Sequence, residues 1–230
     1  MTNTPAYRHE LKYQITPADY FAIRQRLRTV MRIDEHARAD GRYTIHSIYF
    51  DNVDDKALRE KIDGVQYREK FRIRYYNDDL SYLSLEKKVK HNYLCQKTEA
   101  QITEAECRQL LDGQTDWMMA HESALVRELY CKMKYQRLQP RILVSYVREP
   151  YVFAAGNVRI TFDSQIRSSL FHRTFLEEQT PDICATDHPE DMILEVKYDA
   201  FLPEIIACLL QTETLRQQAF SKYGISRRFG

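Results

Sequence analysis

The chain has 230 residues, 43% of them hydrophobic and 29% charged, with a formal net charge of only +1, the composition of a folded globular chain rather than a disordered or fibrous one. A net charge so close to zero gives the whole molecule no field to draw in nucleic acid or an anionic membrane, so any basic site has to arise from local arrangement. There is no apolar run of about 18 residues to span a bilayer and no apolar stretch of a signal peptide within Met1 to Lys12, so the chain is expected in the cytoplasm, as one domain over residues 1–230.

In chain order, residues 6–14 alternate polar and apolar side chains and read as a strand. Thr16-Pro17 sets a hydroxyl N-cap before a proline at the first helical position, and Phe21, Ile23, Leu27 and Val30 extend that helix to about Met31. A strand over 42–50 follows. Asp54-Asp55 then opens a short helix through Leu58 and Ile62, closed at Asp63-Gly64. Strands over 66–76, 80–90 and 93–101 come next, joined by turns at Asn77-Asp78-Asp79 and His91-Asn92. Thr103 and Glu106 form a capping box before Cys107, Leu110 and Leu111. A longer helix is predicted from Asp116 to Tyr135, with Ala124, Leu125, Leu129 and Met133 on its apolar face. Strands over 140–149, 157–163 and 192–199, with a turn at Gly156-Asn157, bring the set to about eight, and Leu202-Pro203 starts a last helix through Leu209, Leu210 and Leu215. The 16 Tyr and 10 Phe fit a strand-rich chain, because aromatic rings pack well on pleated surfaces.

Two residue classes carry no signal of a site. Cys95, Cys107, Cys131, Cys184 and Cys208 are odd in number and lack CxxC spacing, so they read as reduced, mostly core thiols. His9, His36, His46, His91, His121, His172 and His188 show no ligand spacing and read as structural or surface residues.

The informative segment is residues 66–76, where Arg68, Lys70, Arg72 and Arg74 take every second position and so share one face of a strand. Tyr67, Phe71, Ile73 and Tyr75 take the other face, which is therefore the packed one. Same-face neighbours lie about 6.6 Å apart at their roots, where like charges repel by about 2.5 kcal/mol at an effective dielectric near 20. A lone stripe of this kind suits a solvated edge strand. The same grammar recurs, however, in Arg8, Glu10 and Lys12, in Glu86, Lys88 and Lys90, in Arg159, Thr161 and Asp163, and in Glu195 and Lys197. Several strands that each put long charged side chains on one face are best satisfied by a sheet closed around a charged interior, since closure leaves no open edges. The fold class expected is α+β, a closed antiparallel eight-stranded β-barrel with peripheral helices. Its interior calls for a polyanionic ligand. RNA is disfavoured, because the aromatic rings of 66–76 face away from the basic stripe, and Arg141 is set aside because its parity differs from that of Arg148.

These residues also carry a resemblance. Arg8-x-Glu10-x-Lys12-Tyr13, Ile48-Tyr49-Phe50-Asp51, Lys70-Phe71-Arg72-Ile73-Arg74, Leu85-Glu86-Lys87-Lys88, Arg148, Arg159-x-Thr161-x-Asp163, Leu194-Glu195-Val196-Lys197 and Phe220-Ser221-Lys222-Tyr223 together resemble the VTC domain. That is the polyphosphate polymerase domain of the vacuolar transporter chaperone complex, in the CYTH-like superfamily of triphosphate tunnel metalloenzymes. The resemblance implies a polymerase that moves the γ-phosphoryl group of ATP onto a polyphosphate chain. It implies Arg72, Arg74, Lys88, Arg148, Arg159 and Lys197 as the catalytic cations and Lys12, Lys70, Ser221 and Lys222 as phosphate contacts. Glu195 would hold Mn²⁺ or Mg²⁺, while Glu10 and Glu86 would orient cations or hold a metal-bound water, and Asp163 would orient an arginine. Arg8 stands where the related triphosphatases have the first glutamate of an ExExK pattern, which favours the polymerase over a triphosphatase; a non-catalytic polyphosphate-binding module is the other alternative. The phosphate-sensing and transmembrane parts that accompany the eukaryotic domain have no counterpart here, so export of polymer would fall to a separate membrane partner.

Overall fold

A computed structural model describes residues 7–92, 94–170, 175–177, 180–212, 215–217 and 220–227; His172, and the expected strand starts at Ala6 and Tyr93, lie outside them. The strands are β1 (Arg8–Ile15), β2 (Arg32–Ile33), β3 (Tyr43–Asp51), β4 (Tyr67–Tyr76), β5 (Asp79–His91), β6 (Leu94–Ile102), β7 (Gln139–Phe153), β8 (Val158–Ser169), β9 (Ile183–Cys184) and β10 (Met192–Tyr198). The helices are α1 (Pro17–Leu27), α2 (Lys56–Ile62), α3 (Glu104–Leu111), α4 (Ala124–Gln136), α5 (Glu204–Leu210) and α6 (Lys222–Ser226).

Every strand pairing is antiparallel, in the order β2-β7-β3-β4-β5-β6-β1-β10-β8-β9, and a further β7–β8 ladder joins the two arms. That ladder closes β7, β3, β4, β5, β6, β1, β10 and β8 into a ring of eight, leaving the two-residue strands β2 and β9 as outliers on β7 and β8. The ring is unevenly sewn: β7 and β8 share a long ladder, whereas β6 and β1 meet only at Arg8↔Cys95 and His9↔Leu94.

Helices cover the outside. One apolar layer joins Phe71, Ile73 and Leu85 of the ring to Cys107 and Leu110 of α3 and Leu125 and Leu129 of α4. A second joins Ile160, Leu194 and Val196 to Ile23 and Leu27 of α1 and Ile206 of α5. Removing a side chain such as Ile23 or Leu27 fully from water contributes about 1.5–3 kcal/mol, and both are 0% exposed. The third cluster, with Ile45, Val144, Tyr146, Ile166 and Ile193, is built from ring strands. Along β3 and β7, Ile45 and Val144 share a face with Ser47 and Arg148, so this cluster forms an apolar floor inside the ring and the charged lumen occupies the rest.

Local chemistry fixes the helix starts. Thr16 accepts the amide of Asp19, whose carboxylate accepts the amide of Thr16, and Thr103 and Glu106 form the same box on α3. The first helix ends at Leu27, short of Met31, where Thr29 turns its hydroxyl onto the carbonyl of Arg26. Asp54-Asp55 does not cap α2: Asp55 has φ of 52° and no capping bond, and Asn52 and Asp51 accept the amides of Lys56, Ala57 and Leu58 instead. The helix predicted over Asp116 to Tyr135 is broken into a 3-10 turn, Asp116–Ala120, and α4, because His121 turns its ring onto the amide of Ser123. The last predicted helix stops at Leu210, and α6 is a separate turn of helix that the sequence reading did not anticipate.

Strands β7 and β8 run past their predicted ends. Pro150 is tolerated inside β7 because it falls between the β3 ladder, which ends at Tyr43↔Arg148, and the β2 ladder, which begins at Ile33↔Tyr151: its carbonyl accepts the amide of Asp34, and the Asp34 carbonyl takes the amide of Ala37 in place of the missing proline N–H. At the β7–β8 end of the ring, Gly156 has φ of 72°, and a Cβ there would meet the carbonyl oxygen of Phe201 at 2.6 Å, which restricts the turn to glycine. The thiols are less uniformly core than expected: Cys95 and Cys107 are buried, Cys184 is half-buried, and Cys131 and Cys208 are exposed.

Candidate functional site

The charged stripes converge. Contacts between strands that are not neighbours in the ring demonstrate this, since such side chains meet only by crossing its interior. Lys88 of β5 reaches Glu10 of β1 across β6, Nζ to Oε2 at 2.6 Å. Arg74 of β4 approaches the Tyr146 hydroxyl of β7 across β3 at 3.4 Å. Arg159 of β8 donates to the Tyr43 hydroxyl of β3 across β7 at 2.8 Å.

Three ion-pair groups line the lumen. In the first, Glu10 and Glu195 sit among lysines: Lys12 lies 3.0 Å from Glu10 and 3.3 Å from Glu195, and Lys197 lies 2.7 Å from Glu195. Burial alone would raise the pKa of both carboxyls, but the lysines outweigh it and hold them well below the usual range. Lys12, although buried, is pushed up by the same two carboxylates. Lys197 is pulled down by burial to about 8 despite its acidic partners.

In the second, Glu86, 1% exposed, accepts from Arg72 Nε at 2.6 Å, and Arg72 also donates to the Tyr49 hydroxyl at 3.0 Å. Arg74 is buried too but more loosely held, with Ser47, Tyr146 and Glu86 all at 3.4–3.5 Å. In the third, Asp163 holds Arg148 in a two-pronged pair and takes Lys222 as a second cation. Arg159 is tied to Asp34 at 2.9 Å.

The C-terminal segment closes over one side. Ser221 caps the start of α6 by accepting the amide of Gly224, rather than the end of the preceding helix, and its hydroxyl lies 3.3 Å from Lys70 Nζ. Lys12 donates to the carbonyl of Phe220. Tyr223 donates to Asp51, the carboxylate that caps α2, which ties the segment to the ring. Lys70 has no carboxylate within ion-pairing distance among the described residues; burial first, then repulsion from Lys12, Lys88 and Arg68, pulls it down to about 7.

All the residues singled out from sequence, Lys12, Lys70, Arg72, Arg74, Lys88, Arg148, Arg159, Glu195, Lys197, Ser221 and Lys222, thus face this lumen or its C-terminal cover. Arg141 instead pairs with Asp55 at 3.7 Å. Arg8 pairs with Asp199 and the carbonyl of Asn157, away from Glu10. Sequence reasoning missed the tyrosine hydroxyls. The Tyr146 ring lies 5.4 Å below Arg148 and 4.6 Å below Lys222. Tyr43 and Tyr49 share the alternating face of Ser47, the signal that would have placed them.

Glu10 and Glu195 are oxygen donors on paired strands, both ionised, and no third His, Cys, Asp or Glu joins them among the described residues. That set fits Mg²⁺ or Mn²⁺ carried in on phosphate oxygens, which takes one or two carboxylates from protein, and does not fit an all-protein cage.

Against known proteins, the chain matches the family model of the VTC domain over residues 7–229. No curated protein matches it. Among solved structures, a candidate adenylate cyclase of Bacillus halodurans is 14% identical, with 84% of this chain and 81% of that one covered at a TM-score of 0.50, a likeness of fold alone. A candidate adenylate cyclase of Vibrio parahaemolyticus is 10% identical over 96% of this chain and 98% of that one, at a TM-score of 0.49. The Mimivirus capping enzyme triphosphatase is 10% identical over 86% and 82%, at 0.36.

Proposed function

The chain belongs to the VTC domain family, and on that footing we propose that it transfers the γ-phosphoryl group of ATP to the end of a polyphosphate chain inside the ring. The observation that supports this reading is the cation surplus of the lumen. Lys12, Lys88 and Lys197 share two carboxylates, Arg72 and Arg74 share Glu86, and Arg148 and Lys222 share Asp163. Such an interior is left under-compensated until a polyanion enters.

In the reaction, a terminal oxygen of the polyphosphate chain attacks the γ-phosphorus, a new P–O bond forms, and the bond to the β–γ bridging oxygen breaks to release ADP. The attacking oxygen is already anionic, so no strong base is required, and positioning plus charge neutralisation do most of the catalysis. Arg72, Arg74, Arg148 and Arg159 offer N–H donors to the transferring group, and Lys88 and Lys197 add compact positive charge beside it. Asp163 and Glu86 hold Arg148 and Arg72 rigid. Lys12, Lys70, Ser221 and Lys222 line the path for the phosphate chain. A divalent cation, which Glu195 would hold with Glu10 beside it, would supply Lewis acidity to the transfer.

No helix among the described residues is long and apolar enough to cross a membrane. The test is incubation of the protein with γ-labelled ATP and Mg²⁺ or Mn²⁺, resolving phosphate products by length. A ladder of polyphosphate with matching ADP is expected. Free phosphate alone would replace the polymerase by a triphosphatase, and absence of both products would leave a binding module.

A further inference from the structure

A second cluster lies on the outer face of the ring. Along β3, Ser47 and Tyr49 point inward, so His46 points outward; along β7, Ser145 likewise points out between Val144 and Tyr146. His46 and Ser145 are register partners, and Ser145 Oγ lies 2.8 Å from His46 Nδ1. Asp78 Oδ1 lies 3.0 Å from the other ring nitrogen, Nε2, as an ion-pair contact off the hydrogen-bond direction. The imidazole is stacked on Tyr75 at 4.7 Å, which fixes its plane. Asp78 is held by a two-residue hairpin turn in which Asn77 and Asp78 have φ of 55° and 59°, and the Asn77 side chain is anchored on the amide of Thr44.

These three residues line a cavity of about 250 Å³ that is separate from the lumen, on the opposite face of the same strands. The negative charge of Asp78 close to Nε2 favours the tautomer protonated on that nitrogen, in which the Nδ1 lone pair accepts from Ser145. Burial lowers the His46 pKa more than Asp78 and Asp182 raise it, so the ring is neutral near pH 7 and available as a base.

The backbone adds an independent sign. Gln165 has φ of 50°, unusual for a residue with a Cβ, at the point where the β7–β8 register shifts between Ser145↔Arg167 and Val147↔Ser164. Such bulges re-aim side chains, and backbone strain of this kind concentrates at functional sites. Gln165 lines the same cavity. So do Asp78, Glu177 and Asp182, while Arg167 is committed to Asp182 at 2.7 Å. The cavity therefore repels anions and is no annex of the phosphate site.

We propose that this cavity is a second active site that hydrolyses small neutral or cationic carboxylic esters, with Ser145 as nucleophile, His46 as base, Asp78 orienting the imidazole and the Gln165 amide donating to the oxyanion. Ser145 Oγ bonds to the acyl carbon while its proton passes to His46 Nδ1. The ester C–O bond breaks, and the alcohol leaves with that proton. Water then attacks the acyl-serine, gives a proton to His46, and the acid departs as Ser145 recovers its own.

The site is independent of the phosphoryl-transfer reading and is tested on the full chain with a fluorophosphonate probe and 4-nitrophenyl acetate, followed by peptide mass spectrometry. Expected are a single adduct on Ser145 and ester turnover that Ser145→Ala abolishes, with tripolyphosphate binding and melting temperature unchanged. His46→Gln is expected to slow labelling by about 100-fold. Asp78→Asn, on an exposed turn, slows it without disturbing the sheet should the strand variants fail to fold. Native protein that takes up no probe and turns over no ester, or an adduct that persists in Ser145→Ala, overturns the proposal.

Discussion

Arg148 is gripped by Asp163 through two parallel hydrogen bonds, Nε to Oδ1 at 2.6 Å and Nη2 to Oδ2 at 2.8 Å, and Asp163 is 0% exposed. The same carboxylate binds Lys222, so a single residue joins β7, β8 and α6. Losing one member of a buried pair strands the other charge, at a cost of about 3–5 kcal/mol. Asp163→Asn is expected to lower stability in urea by that amount, and tripolyphosphate to restore part of it by taking over Arg148 and Lys222. A variant as stable as the native chain would show that the lumen is solvated enough to make the pairing dispensable.

Arg72 and Glu86 set a second test. Read from sequence alone, Arg72→Ala and Arg74→Ala should remove phosphate binding with little loss of fold, because they relieve repulsion. The structure separates the two. Arg72→Ala exposes the buried Glu86 to a loss of its closest partner and is expected to destabilise the chain, whereas Arg74 is held only by contacts of 3.4–3.5 Å and its removal should be mild. Adding Glu86→Gln to Arg72→Ala should recover the melting temperature and not the tripolyphosphate affinity. Recovery of both would make Arg72 a structural partner of Glu86 and nothing more.

The ring was legible because strand period is so regular: Arg68, Lys70, Arg72 and Arg74 declare one face, and Phe71, Ile73 and Tyr75, all buried, declare the other. The same logic collected the stripes of Glu10 and Lys12, Glu86 and Lys88, and Glu195 and Lys197 into one interior. It failed where a side chain is both apolar and polar. Tyr43, Tyr49 and Tyr146 count as core by composition, yet their hydroxyls meet Arg159, Arg72 and Arg74. It failed also where tertiary contact overrides local preference. Asp51 caps α2 from the end of a strand, and His121 breaks a helix whose periodicity runs on unbroken. The outer Ser145, His46 and Asp78 cluster is spread over three distant segments, so no spacing announces it.

Lys70 gives the chain a pH dependence of predictable sign. Its pKa falls from the ordinary 10.5 to about 7 on folding. Above about 10.5 it is neutral in both states and costs nothing. As pH falls toward 7 the unfolded chain gains a proton that the folded chain resists, so stability declines, and below about 7 the full cost is present. Lys70→Met should therefore raise the melting temperature at pH 7, with the gap to the native chain closing toward pH 10, and should weaken tripolyphosphate binding. Melts at the two pH values decide it: an equal gap at both would mean that Lys70 titrates normally in the fold.

Glu195→Gln separates the metal reading from simple ion pairing. The carboxylate lies 2.7 Å from Lys197 and 3.3 Å from Lys12, so neutralising it frees two lysines for phosphate. Without divalent metal, tripolyphosphate affinity measured by calorimetry should be retained or rise. If Glu195 also holds the cation, the gain in affinity that Mg²⁺ or Mn²⁺ gives the native chain should shrink in the variant, and phosphoryl transfer should be lost even at high metal. Glu10→Gln, which leaves Glu195 in place, should show the same direction with a smaller loss. Native activity in Glu195→Gln at every metal concentration would reduce this carboxylate to a counter-charge for Lys12 and Lys197, and would move the cation, if one is used, onto the phosphates alone.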